Sequence, residues 1–293
     1  MADHMTLLLI ALVTGLSLAS IYFIAGAGLT TVYGVLHVPN FAHGAFLMVG
    51  GYLTYAITRG IAVSVPVYLA VIIVASLGVG VLAALVDVLV LRRSYRGQAF
   101  APVIATFGVL LLVEGIVEAV WGLEPMAQAF PTGTGSSLEI GGVTVPYYSI
   151  FTILVAVAVG VALWLVLSRT SIGMLIRAAA QDKEMAEALG VPVQLIYTGV
   201  FAVGGVLAGL AGGLAVPNYA LSPEMGALFL LTAFAVVVVG GMGSIRGALL
   251  AAVVLGLGAS VLTVYGPALS GIALFVPMIL ILLVRPQGLL KGW

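Results

Sequence analysis

The sequence predicts an all-α, polytopic membrane protein: one transmembrane domain over residues 1–293, with about nine spans and a range of eight to ten. Three observations predict it. First, 63% of residues are hydrophobic and only 7% charged, against roughly 25% charged in soluble domains. Second, apolar runs of near-spanning length recur along the whole chain, as helices crossing a hydrocarbon core of about 30 Å require. Third, the few charges gather in short segments between those runs, because each charge at the bilayer centre costs roughly 2.5–3.5 kcal/mol. The formal net charge is zero and there is no cysteine. Nucleic acid therefore has no electrostatic attraction to this chain, and disulfides, thiolate chemistry and Cys-ligated metals are excluded.

The apolar runs cover 7–36, 41–58, 66–91, 99–121, 146–168, 193–217, 226–241, 247–265 and 271–285. No basic segment precedes the first run, which reads as a retained span rather than a cleaved leader. At 1.5 Å per residue its thirty residues would extend about 45 Å, so Gly26 and Gly28 are candidate break points. The basic stretch Leu91-Arg92-Arg93-Ser94-Tyr95-Arg96 after the third run belongs in the cytoplasm. The loop 122–146 carries Glu124 and Glu139 but no Lys or Arg, and is expected outside. Alternation then places 169–190, Arg246, Arg285 and Lys291 inside, with only Arg59 on the wrong side. The N-terminus is expected outside and the C-terminus inside.

The segment 169–190, RTSIGMLIRAAAQDKEMAEALG, holds Arg169, Arg177, Asp182, Lys183, Glu184 and Glu187, six of the twenty charged residues. It must sit in water between two spans. Asp182 is placed to cap a helix through Glu187, with Glu184 favoured in the first turn, Gly190 as the stop and Pro192 forbidding continuation. A preceding helical turn would put Ile172, Leu175, Ile176 and Ala179 on one apolar face. A capped, alanine-rich helix with a charged face predicts a handle gripped by a soluble protein; the plainer reading is a solvated loop.

Other motifs are weaker. Pro39 biases Val38 away from helix and Asn40 is a good N-cap for the next run. Asn40 and His43 then stand at the edge of an apolar segment, either lining a polar path or as a structural helix start. His43-Gly44-Ala45-Phe46-Leu47 and Arg246-Gly247-Ala248-Leu249-Leu250 share a step that would mark an internal repeat. Gly240 to Gly247 holds four glycines, but Gly-Lys-Ser/Thr occurs nowhere, so this chain has no phosphate loop. The glycines read as a tight turn. Asp87 is expected to be neutralised by Arg92 or Arg93. Glu114 and Glu118, four residues apart, would suit an ion site or simple interfacial solvation. Tyr22, Thr30, Thr106, Thr232, Asn218, Tyr219 and Ser222 are polar residues within or beside spans that could meet a solute, with Tyr22, Thr30, Asn40, Asn218 and Tyr219 the leading set. Histidines His4, His37 and His43 are too scattered for a metal site, no cofactor is called for, and no catalytic constellation appears.

Four stretches carry a family resemblance: Val32-Tyr33-Gly34-Val35 with Asn40-Phe41-Ala42-His43-Gly44; 169–190; Gly240-Gly241-Met242-Gly243-Ser244-Ile245-Arg246-Gly247-Ala248; and Arg285-Pro286-Gln287-Gly288-Leu289-Leu290. In that order they resemble permease subunits of ABC importers for branched-chain amino acids, the LivH type. The resemblance implies a non-enzymatic transport subunit of a bacterial cytoplasmic (inner) membrane, carrying branched-chain or other hydrophobic amino acids or similar small solutes. The implied partners are a second, homologous permease subunit, expected as a heterodimer, two cytoplasmic ATP-binding subunits and an extracytoplasmic substrate-binding protein. It places ATPase coupling on Arg177, Asp182, Lys183, Glu184, Met185, Ala186, Glu187 and Gly190. Ala45, where relatives often carry an acidic residue, and Arg246, where they carry Pro or a small residue, depart from the pattern. Both bear on the substrate class. The alternative is an ion-coupled secondary transporter, which needs an ionisable midplane group, and Glu114 is its candidate.

Overall fold

Glycines on one helix set the interior. In α9 (Val193–Ala215), Gly205, Gly209 and Gly213 recur every four residues and so share one face. That face lies on α3 (Val65–Val86): a Cβ at Gly209 would stand 3.1 Å from the Ser76 Cα, and one at Gly213 3.0 Å from the Ile72 Cγ2. Gly212, on another face, lies against the Leu47 carbonyl of α2 (Ala42–Thr58), and Gly50 of α2 meets the Gly209 backbone. Lipid tails are as apolar as leucine, so close backbone approach and dispersion must supply the association of spans. Tyr68 and Tyr148 tie the same region, donating to the Gly213 and Leu214 carbonyls at 3.0 and 2.8 Å.

The computed structural model describes residues 4–94, 100–140 and 143–290. Tyr95, Arg96 and Lys291 of the charge pattern lie outside them. Each of the nine apolar runs falls on a helix. These are α1 (His4–Leu36), α2, α3, α5 (Ala101–Trp121), α6 (Tyr147–Arg169), α9, α10 (Met225–Gly240), α11 (Ile245–Tyr265) and α12 (Phe275–Val284). Short helices α4 (Arg92–Ser94), α7 (Ser171–Gln181) and α8 (Lys183–Ala188) complete the set. Six helices are long and apolar enough to cross a membrane: α1, α3 with its extension to Ser94, α5, α6, α9 and α11; α10 and α12 are shorter apolar helices. The architecture is all-α and polytopic.

Helix α1 is continuous over 33 residues, so Gly26 and Gly28 do not break it. They accept neighbours instead: Gly26 faces Val236 of α10, and Gly28 faces the His43 ring and Leu207. The helix ends at His37, whose φ of 52° is the left-handed stop of a helix C-terminus, with its N–H donating to Tyr33 O at 2.8 Å. Asn40 does not cap α2. The helix starts one residue later, after Phe41 in helical φ/ψ, and Asn40 contributes only its carbonyl, to the His43 N–H.

The loop 122–146 holds an unpredicted antiparallel hairpin, β1 (Ser137–Ile140) and β2 (Val143–Pro146). Backbone bonds join it to two other loops at that end: Met126 with Leu221 in a pair at 2.8 and 2.9 Å, and Thr132 N–H with Val63 O at 2.8 Å. At Asp87–Leu91 the α3 backbone widens into a π-turn. Asp87, fully buried, there meets Arg92 at 3.7 Å and accepts from the Thr198 hydroxyl at 2.5 Å. The expected neutralisation is by Arg92, with Thr198 also bound by its guanidinium at 2.8 Å.

Gly212→Val should drive a side chain into the Leu47 carbonyl and cost at least the ~1–3 kcal/mol of core overpacking. Gly78→Ala, on the same bundle with nothing within 4 Å of its Cβ position, should be neutral or stabilising by about 0.5–1 kcal/mol. Thermal unfolding of the two variants in detergent checks the contrast.

Candidate functional site

Two regions carry function-bearing geometry, the charged handle and the place where two short helices begin inside the bundle.

The handle folds from local signals. Thr170 caps α7, its Oγ1 accepting from the Gly173 N–H at 3.3 Å. Gly173 lets α7 turn tightly against the end of α6, because a Cβ there would meet the Leu167 backbone. Arg177 donates to the Leu167 carbonyl, satisfying an open acceptor at the α6 C-terminus. Asp182 then caps α8, its Oδ1 accepting from Met185 N at 2.9 Å. Gly190, at φ +83°, closes the helix in a Schellman stop: its N–H bonds Glu187 O and Val191 N–H bonds Ala186 O, each at 3.0 Å. The capping expected of Asp182 and Gly190 is present in full.

The predicted apolar face is only half right. Ile176 and Ala179 are buried, the latter packed with Ala186 and Val193, but Ile172 and Leu175 are exposed. The buried side is completed by Gly173, because α7 lies too close to α6 for larger groups. What sequence reasoning missed is Leu189, which joins Met185 on the exposed side of α8. Met185 is 57% and Leu189 76% exposed, between the exposed charges Lys183, Glu184 and Glu187. Apolar groups bracketed by charge cannot sit in hydrocarbon, so they face water or a protein partner.

The second region surrounds His43. Its Nε2 bonds Ala25 O at 2.9 Å, and Ala25 lies about 16 Å of helix inward from the α1 end at Leu36. Segment 37–41 therefore re-enters the bundle, and α2 starts deep within it. Helix α10 starts at the same level: a Cβ on Gly226 would come 3.1 Å from the Gly44 carbonyl. Two short helices thus begin where they touch, each with its positive dipole end inside the protein. Phe41 wedges the entry, with ring centroids 5.9 Å from Phe107 and 5.5 Å from Phe234.

The predicted pathway residues divide. Tyr22, buried on α1, and half-buried Tyr219 lie within electrostatic reach of one another, and Tyr219 stacks edge-on Phe229 at 5.2 Å. Asn218 is exposed beside them. Asn40 is buried elsewhere, beside a cavity of about 10 Å³ lined by Leu91, Thr106 and Phe201 among others. Thr30 Oγ1, Asn40 Oδ1 and His43 Nδ1 are buried with no hydrogen-bond partner among the described residues. Thr106 and Thr232 bond their own helix carbonyls, the plain structural use; Ser222 is half-buried in the 216–224 loop. Glu114 is half-buried on α5, with Glu118 and Glu224 close enough to repel it. No group of three metal-binding side chains occurs among the described residues.

Two of the resemblance motifs form one unit. Leu289 N–H bonds Val239 O at 2.7 Å and Leu290 N–H bonds Gly240 O at 3.1 Å, so the Arg285–Leu290 stretch docks on the Gly240–Gly243 turn. Gly241 holds φ +96° there, and Ser244 caps α11 through the Gly247 N–H at 3.1 Å. The glycine-rich segment is a turn, as expected. The two matched steps of the suspected repeat play different parts: Gly44 meets the start of α10, and Gly247 meets its end at Gly240.

A profile of the family described as "Branched-chain amino acid transport system / permease component" matches residues 11–284. This chain belongs to that family. It is 31% identical to the high-affinity branched-chain amino acid transport system permease protein BraD of Pseudomonas aeruginosa, over 95% of this chain and 94% of that protein. It is 26% identical to LivH of Escherichia coli K12, over 99% and 97%. In fold it is similar to PsaBC from Streptococcus pneumoniae, at a TM-score of 0.52 with 14% identity, covering 96% of this chain and 91% of that one. The chain is thus a multi-pass membrane permease component.

Asp182→Ala should remove the α8 cap at a cost of about 1 kcal/mol, and Asp182→Asn should retain it. Hydrogen exchange at Met185 and its neighbours should quicken roughly fivefold in the alanine variant alone.

Proposed function

We propose that this chain is the transmembrane permease subunit of an ATP-driven importer for branched-chain or other hydrophobic amino acids or similar small solutes. The observation that carries the reading is the handle in a member of this permease family: a doubly capped helix presenting Met185 and Leu189 amid charge. The handle is the surface that a cytoplasmic ATPase grips, through Lys183, Glu184, Met185 and Glu187. Asp182, Ala186 and Gly190 hold its shape, and Arg177 ties it to α6. No bond is made or broken in this chain, which has no phosphate loop, so ATP hydrolysis belongs to two partner subunits. Closure of those subunits would push α7 and α8, and with them the ends of α6 and α9.

The solute path runs past Tyr22 and Tyr219, with Asn218 at its outer mouth and Thr30 and Asn40 deeper. A cavity of about 10 Å³ beside Asn40 has room for one water, far below the roughly 300–1,000 Å³ of small-molecule sites. A second, homologous permease would complete the passage, the two chains forming a heterodimer. A chain so poor in buried charge holds cargo loosely, which leaves selection to an extracytoplasmic binding protein. Nine spans, N-terminus outside and C-terminus inside the bacterial inner membrane, put the handle in the cytoplasm and the hairpin loop outside.

Co-purification tests the reading. Wild type co-expressed with candidate ATPases of its system should recover one with solute-stimulated ATP hydrolysis. Met185→Asp with Glu184→Lys, leaving both caps intact, should lower recovery at least tenfold. Failure of wild type to recover an ATPase, together with transport lost in Glu114→Gln but insensitive to ATP depletion, would establish the ion-coupled alternative instead.

A further inference from the structure

Helices α1, α6 and α11 do not close on one another along their whole length. Between them lies a groove of about 850 Å³, walled by Phe23, Val157, Val161, Trp164, Leu249 and Val253. Val161, Trp164 and Leu249 are each 43–50% exposed, so the groove opens sideways on the surface that the bilayer surrounds. One end differs from the rest. Ser168, Ser244, Arg177 and Arg246 line it, and the Arg169 guanidinium stands 5.4 Å from the Trp164 ring centroid in a cation–π contact. Two guanidinium groups therefore line one mouth of an apolar trough, with a third, Arg169, against the ring of Trp164.

None of the three has a carboxylate partner among the described residues, whose one ion pair is Arg92 with Asp87. Arg177 spends one donor on Leu167 O, leaving up to four N–H groups of its five. Arg246 is exposed at the start of α11. Unpaired arginines at a helix end commonly reflect only the rule that basic residues stay on one side of the membrane. That rule does not call for an open apolar channel beneath them. An apolar trough in hydrocarbon is filled either by an acyl chain or by another helix. A helix would need acidic groups at this depth to answer three arginines; a phospholipid carries its phosphate at the head of its chain.

We propose that this groove is a binding site for an anionic phospholipid, an acyl chain lying along Phe23, Trp164 and Leu249 and the phosphate held by Arg177 and Arg246. The tails of all lipids are equally apolar, so the trough provides shape and the arginines provide selection, since both groups at hand are poor partners for a zwitterionic headgroup already neutralised by its own ammonium. The occupied site also braces α6, the helix whose end carries the handle. The site is independent of the solute carried.

Trp164 reports on the groove directly. The chain has three tryptophans, and Trp121→Phe with Trp293→Phe leaves Trp164 alone. Full-length protein in phosphatidylcholine vesicles would receive brominated phosphatidylglycerol or brominated phosphatidylcholine, and Trp164 quenching would be followed against mole fraction. Phosphatidylglycerol should quench at a mole fraction lower by roughly fivefold for each arginine that meets the phosphate. Arg246→Gln should erase about fivefold of that preference. Native mass spectrometry of wild type, unaltered at its tryptophans, should show phosphatidylglycerol retained over phosphatidylcholine. Equal quenching by the two lipids, a preference unchanged in Arg246→Gln, or Trp164 shielded from both lipids by a bound subunit would each overturn the proposal.

Discussion

The distance between helix backbones around α9 is the constraint on which the rest of this permease depends. Hydrocarbon offers no hydrophobic drive to pack one apolar helix on another. The gain comes from dispersion, which falls away within an ångström of separation. Gly205, Gly209 and Gly213 bring α9 onto α3, while Gly212 brings it onto α2. With α2 held there, His43 reaches the Ala25 carbonyl and the start of α10 is brought against Gly44. A methyl group added at Gly212 would press on the Leu47 carbonyl and loosen both the bundle and the region where the short helices meet.

That packing explains why α2 can begin in the interior. Unwound backbone at membrane depth is tolerated only where protein or a water-lined cavity surrounds it. Residues 37–41 are enclosed by α1, the π-turn at the end of α3, α5 and α9, as the lining of the small cavity shows. The groups left open there, on Thr30, Asn40 and His43, are costly to bury unpaired. The hairpin loop and the 216–224 loop, joined through Met126 and Leu221, close over the start of α10, and the hairpin loop also bonds Val63 just beyond the end of α2.

Much of this was legible in the sequence where the causes are local. Asp182, Gly190 and Pro192 act within a few residues, so the caps of the handle could be read from the sequence. The apolar runs mapped onto helices for the same reason. Long-range effects were not legible. Asn40 looks like a cap, but the re-entrant segment imposes helical geometry on Phe41 and turns Asn40 toward Thr106 and Leu91. Gly26 and Gly28 look like a break, yet they are seats for Val236 and His43. Ile172 looks buried until Gly173 is seen to bring α7 flush with α6. The pairing of Arg285–Leu290 with Gly240–Gly243 joins two motifs some 45 residues apart, which no window of sequence displays.

The most direct test of the central claim uses the absence of native cysteine. Leu189→Cys would be treated in sealed vesicles with a membrane-impermeant maleimide and, separately, with a short thiol crosslinker in the presence of the partner ATPase. The account predicts labelling only from the cytoplasmic face and a crosslink to the ATPase whose yield changes when ATP is trapped. Labelling from the external face, or a crosslink to the ATPase from the hairpin loop and none from position 189, would contradict it.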